Sequence, residues 1–113
     1  MSQYFPDKWV VVKITGPDRP VVYKVFACWY GGWAGSDSWQ LNSGITRAML
    51  DGNVYSFDGS SGSIYYCNRN DYGTNMYGHG VLENMINNAK ATGVDIEIMS
   101  SETNWLEIDY GKN

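Results

Sequence analysis

Two runs of β-branched and aromatic residues flank one turn near the start of the chain, and they limit its fold more than any other feature. Trp9, Val10, Val11, Val12 and Ile14 fill residues 8 to 15, and Val21, Val22, Tyr23, Val25, Phe26 and Ala27 fill residues 21 to 29. Gly16, Pro17, Asp18, Arg19 and Pro20 stand between them and supply turn chemistry, so the segment predicts a hairpin. With Thr15 opposite Val21, one face carries Trp9, Val11, Lys13, Tyr23, Val25 and Ala27. The other carries Val10, Val12, Ile14, Val22, Lys24, Phe26 and Cys28. Both faces are mainly apolar, so the hairpin has to be central and covered on two sides.

The rest of the chain must supply those covers. Residues 45 to 50 read as a strand that ends at the Asp51, Gly52, Asn53 turn. Residues 54 to 58 and 63 to 68 read as a hairpin. It is predicted to place Tyr55, Phe57, Ile64 and Tyr66 on one side and Val54, Ser56, Tyr65 and Cys67 on the other. Residues 69 to 80 read as irregular. Val81, Leu82, Met85, Ile86 and Ala89 then follow helical spacing, with Glu83, Asn84, Asn87 and Asn88 facing away and Gly93 as the stop. A last hairpin joins residues 94 to 99 and 105 to 110. At 113 residues the chain makes one domain, residues 1 to 113. The fold class predicted is α+β. We expect a twisted, mainly antiparallel sheet of about six to seven strands, open or curled toward a barrel, with one helix packed on it.

Residues 28 to 45 lie between these elements and hold Trp29, Tyr30, Trp33 and Trp39 among Gly31, Gly32, Gly35 and Gly44. Glycine allows sharp backbone paths, and Trp and Tyr combine large apolar area with a polar tip. Three uses fit. The rings cap an open end of the sheet, form a partner-binding patch together with Asp37, or line a small-ligand pocket. For the pocket, Trp33, Trp39, Tyr66 and Arg69 are the candidates, able to stack on a planar base and to meet a phosphate.

The last hairpin carries its own signal. A register whose paired numbers sum to 204 sets Ile96 against Ile108 and Ile98 against Leu106. It also sets Asp95 against Asp109 and Glu97 against Glu107, leaving one face of four carboxylates. Like charges in direct opposition are unfavourable. The face is therefore a solvated surface relieved by lysines, a docking surface for a basic partner, or a pair of catalytic carboxylates.

Charge and motifs exclude several classes. The formal net charge is −4 and the eight Lys and Arg residues are scattered, which disfavours direct nucleic-acid binding. No apolar run approaches the ~18 residues of a membrane span, and the first residues do not form a secretory signal. His79 is the only histidine and lies between Gly78 and Gly80. With no Cys-x-x-Cys and no calcium-loop spacing, neither a metal nor another cofactor is expected. Cys28 and Cys67, both in predicted strands, read as buried thiols. No glycine-rich phosphate loop is present, and no catalytic constellation is written in the chain. The expectation is a non-enzymatic protein.

Asp37, Ser38, Trp39, Gln40, Leu41, Asn42, Ser43, Gly44 and Ile45 form one distinctive stretch; Ser61, Gly62, Ser63, Ile64, Tyr65 and Cys67 form another. Together with Tyr55, Ser56, Phe57, Asp58 and Gly59, they resemble small tailed-bacteriophage accessory proteins that carry DSWxLNSGI and SGSxYxC stretches. The likeness spans residues 8 to 82 and departs at Asp58, Gly59 and Ser60, where an aromatic is expected. It implies a protein made in the host bacterial cytoplasm that binds and inhibits a host or bacterial-defence protein, as anti-CRISPR inhibitors do. A nucleotide-signal sponge and a minor virion component are the other roles it leaves open.

Overall fold

The computed structural model describes residues 2–33 and 35–111. The central hairpin forms in the register predicted: β2 (Lys8–Thr15) pairs antiparallel with β3 (Val22–Trp29), Ile14 opposite Val22 and Lys8 opposite Cys28. β4 (Ser38–Leu41) extends this sheet beside β3, and β8 (Asp95–Ile98) extends it beside β2. The second sheet has the order β1-β7-β6-β5. It consists of β1 (Gln3–Tyr4), β5 (Ile45–Asp51), β6 (Val54–Gly59) and β7 (Ile64–Asn68), antiparallel except for the short parallel β1–β7 pair.

The two apolar faces of the hairpin receive two different covers, as the sequence requires. Trp9, Val11, Val25 and Ala27 pack against Ile45, Tyr55, Phe57, Tyr65 and Cys67 of the second sheet, with Trp105 inserted among them. Val10, Val12, Ile14, Phe26 and Cys28 pack on the other side against Leu82 of α1 (Met76–Lys90). The protein is thus α+β in three layers: sheet, sheet and helix. The strands divide between two open sheets and do not close into a barrel. Two opposed aromatic rows, Trp9 on one and Tyr55 and Phe57 on the other with ring centroids 5.5–6.0 Å apart, fill the gap between them.

Three expectations need correction. α1 begins at Met76, inside the stretch of residues 69 to 80 read as irregular, because Asn75 caps it there. In the β6–β7 hairpin Tyr55 stands opposite Cys67 and Phe57 opposite Tyr65. These four share the buried face, while Tyr66 and Ser56 turn outward. The predicted faces were out by one residue on β7, because Gly59 donates its N–H to the Ser63 carbonyl (2.8 Å) and so fixes an even register. The C-terminal hairpin does not form. β8 pairs with β2, placing Glu97 opposite Lys13 and Ile96 opposite Ile14, and residues 99 to 111 form no strand. Burial of Trp105, 2% exposed in the inter-sheet core, outweighs a local ladder that would set carboxylates against each other.

Candidate functional site

The glycine-aromatic loop leaves the first sheet after Trp29 and re-enters at Ser38, and its neck is pinned. Asp7 Oδ2 accepts from the Tyr30 amide at 2.9 Å, and Asp37 Oδ1 accepts from the Gly31 amide at 2.9 Å. A Cβ on Gly31 would collide with the backbone of Ser36, so the two arms of the neck approach as only glycine allows. Beyond this neck Trp33 is 100% exposed and Tyr30 is 55% exposed.

The predicted loop residues divide into half-buried ones, held by the framework, and exposed ones. Trp29 is half-buried, its indole N–H donating to the Phe5 carbonyl at 3.1 Å and its ring meeting Tyr4 edge-on. Asp37 is half-buried and occupied by the Gly31 amide. Both belong to the scaffold. Trp39 stacks on Phe26 with centroids 5.5 Å apart, one face covered and the other open.

The helix contributes residues that the sequence pattern missed. Asn75 caps α1, its Oδ1 accepting from the Gly78 amide at 2.7 Å, and its Nδ2 donates to the Trp29 carbonyl at 3.4 Å. Gly78 sits so close to the sheet that a Cβ would overlap the Cys28 sulfur, crowd Asn75 Oδ1 and touch Phe26. The first turn of α1 is thereby held between the Trp29 end of β3 and the ring under Trp39. Met76 is 92% exposed there and Tyr77 48%. Trp39, Met76 and Tyr77 therefore project from one buried framework of Phe26, Cys28, Asn75 and Gly78, and the loop that carries Tyr30 and Trp33 leaves β3 beside it, at Trp29. The signal available in the sequence was Asn75 as a cap, hidden by Gly78, His79 and Gly80, which weaken helix propensity.

The acidic residues are exposed but do not make the predicted array. Asp95 and Glu97 lie on β8, whereas Glu107 and Asp109 lie in the irregular C-terminal segment. The alternative ligand set is also separated. Trp39 lies on the helix side of the first sheet, while Tyr66 lies on the outer face of the second, stacked on Phe5 at 5.0 Å. Arg69 borders a different cleft of about 420 Å³ with Leu50, Tyr72 and residues 101 to 106.

Thiol and imidazole chemistry is poorly provided for. Burial pushes the Cys67 thiol far above its ordinary range and raises Cys28 as well, so both stay protonated and weakly nucleophilic. His79 lies in the first helical turns with its Nε2 3.8 Å from Glu83, both exposed. Among the described residues no three His, Cys, Asp or Glu side chains gather to hold a metal ion. Nor is any helix long and apolar enough to cross a membrane.

The two stretches that carry the phage resemblance meet in space. Gln40 Nε2 donates to the Tyr65 hydroxyl at 2.6 Å, and Ser43 Oγ accepts from the Ser61 amide at 2.9 Å. Asn42 Oδ1 accepts from the Val25 amide at 2.9 Å, and its own N–H donates to the Val25 carbonyl at 2.9 Å. These stretches tie the two sheets together where the chain crosses between them, so their residues specify architecture. Compared with protein-family models, curated proteins and solved structures, the chain matches none.

Proposed function

We propose that this chain is a non-enzymatic protein-binding module whose contact surface is the aromatic and methionine end built from Tyr30, Trp33, Trp39, Met76 and Tyr77. The complete exposure of Trp33 on a pinned neck carries the reading. An exposed indole gives the monomer no packing energy, yet rigid aromatic anchors dominate binding energy at protein interfaces. Met76 adds an adaptable apolar contact. The neck lowers the entropic cost of docking because the loop base is already ordered.

The resemblance to tailed-phage accessory proteins makes a bacterial host or defence protein the partner we propose, met in the host cytoplasm and inhibited by occupation of its surface. The net charge of −4, with Asp95, Glu97, Glu107 and Asp109 exposed, favours a partner with a basic surface. Affinity capture from bacterial lysate tests this. The reading expects one protein retained in stoichiometric amount and a retention that weakens as salt rises. Capture of nothing, or capture indifferent to salt, contradicts the corresponding part.

A second reading rests on the cleft beside Arg69. Its guanidinium and the side chains of Ser101, Thr103 and Asn104 suit a small anionic ligand such as a nucleotide, against the opposing charge of Glu102 in the same lining. Thermal shift with cyclic and linear nucleotides tests it, since a ligand bound only by the native state raises the transition temperature. The aromatic end is favoured because the large rings at the cleft, Trp9 and Trp105, are 1% and 2% exposed and present little stacking surface.

A further inference from the structure

The outer strand of the second sheet, β5, leaves one edge without a strand partner among the described residues. β5 hydrogen-bonds to β6 on one side, and among the described residues no backbone hydrogen bond from residues 46 to 51 goes elsewhere. The tight turn at Gly52 and Asn53 makes Asp51 and Val54 the closing pair. Alternation along an antiparallel ladder then directs the backbone groups of Arg47, Met49 and Asp51 toward β6, and those of Ala48 and Leu50 outward.

We propose that two copies of this chain associate by antiparallel pairing of β5 with β5, centred on Met49. In that register Ala48 of one copy exchanges N–H···O=C bonds with Leu50 of the other, using the unpaired groups. Met49 faces Met49, and Arg47 faces Asp51 twice across the two-fold axis. A shift by two residues in either direction sets Arg47 against Met49 or Asn53 and loses both ion pairs. The components lie at the surface: Met49 is 50% exposed and Leu50 36%, while Arg47 reaches Asp58 only at 4.0 Å and donates from Nη2 to Met49 Sδ at 2.7 Å, an exposed contact to a weak acceptor that pairing with Asp51 would replace. Asp51 has no ion-pair partner among the described residues. The result is one continuous sheet through both copies, with the row Tyr66, Ser56 and Met49 repeated beyond the axis.

The other edges do not offer this complementarity. Self-pairing of β8 sets Asp95 against Glu97 or Glu97 against itself, which is repulsive. β1 has two residues and β4 has four. A five-residue ladder buries less than a standard interface of roughly 1,600 Å². The association is therefore concentration-dependent.

Sedimentation across roughly 1 µM to 1 mM tests the proposal. The full chain is expected to double its mass over that range. Ala48→Pro removes an N–H that only the dimer uses, so it should stay monomeric with an unchanged circular dichroism spectrum. Arg47→Asp and Asp51→Arg should each be monomeric, and an equimolar mixture should recover the doubled mass. As a readout independent of those variants, Met49→Cys should give a disulfide-linked dimer on mild oxidation, because the native thiols are buried. A chain that remains monomeric throughout overturns the proposal. So does a dimer that survives Ala48→Pro, or one in which Met49→Cys fails to cross-link.

Discussion

The Asn75 side chain joins the start of the helix to the Trp29 carbonyl, 3.4 Å from its Nδ2, while its Oδ1 caps the Gly78 amide. One buried residue, 4% exposed, thus fixes the helix end and the loop base together. Its removal leaves the Gly78 amide uncapped and takes one donor from the Trp29 carbonyl.

Asn75→Ala is expected to cost about 1–3 kcal/mol, combining a lost cap with buried groups left unsatisfied. Urea denaturation measures it. Asn75→Asp should recover only part of the loss: its carboxylate can still accept from the Gly78 amide, but it sets an oxygen against the Trp29 carbonyl and against Asp37 Oδ2, which lies 3.5 Å from Asn75 Nδ2. A loss below roughly 0.5 kcal/mol, the scale of ordinary surface changes, would contradict the linking role.

Gly78→Ala tests the close approach of helix and sheet. An exposed helix glycine replaced by alanine gains about 1 kcal/mol. Here the added Cβ meets Cys28 Sγ and Phe26, so the change should instead destabilise by about 1–3 kcal/mol. The opposite sign would show that α1 can lift away from the sheet. Paired with Cys28→Ala, which opens space beneath it, the cost of Gly78→Ala should shrink, as a double-mutant cycle would show.

The buried ionisable groups predict the alkaline limit of stability. Burial pushes the Cys67 thiol far up and raises Tyr72 to about 12, against ordinary values of 9.0 and 10.0. Each is therefore neutral in the folded chain when it would ionise in the unfolded one. Between the two values the unfolded state binds fewer protons, so stability falls as pH rises. Their contribution is intact below about pH 9 and declines from there toward 12. Denaturant midpoints at pH 7, 9 and 10.5 read it, and a flat profile would contradict the burial of these groups. The same burial predicts that both thiols react with a water-soluble disulfide reagent only after unfolding.

Much of this architecture was legible where side-chain patterning alone decides the outcome. The β2–β3 register followed from two apolar faces and one strong turn, and the helix from the spacing of Val81, Leu82, Met85 and Ile86. Gly93 ends α1 as read: it has φ 82° and donates to the Lys90 carbonyl at 3.1 Å. What failed were choices between competing partners. Residues 105 to 110 alternate like a strand, but Trp105 finds more burial between the sheets than a ladder beside β8 would provide. β8 in turn finds β2, where Lys13 stands opposite Glu97. Met76 and Tyr77 were hidden for a related reason. Gly78 lowers helix propensity but is required by contact with Cys28, which no local pattern reveals.

The aromatic end is best tested by removing Trp33. Being 100% exposed, it can be truncated without touching the core, so Trp33→Ala should leave stability within roughly 0.5 kcal/mol. In quantitative capture from bacterial lysate, the intact chain and Val54→Ser, altered on the outer face of the second sheet, should retain the same stoichiometric protein. Trp33→Ala should weaken that retention by about 30-fold or more, the loss of a hot-spot side chain. Equal retention by Trp33→Ala and the intact chain would contradict the account.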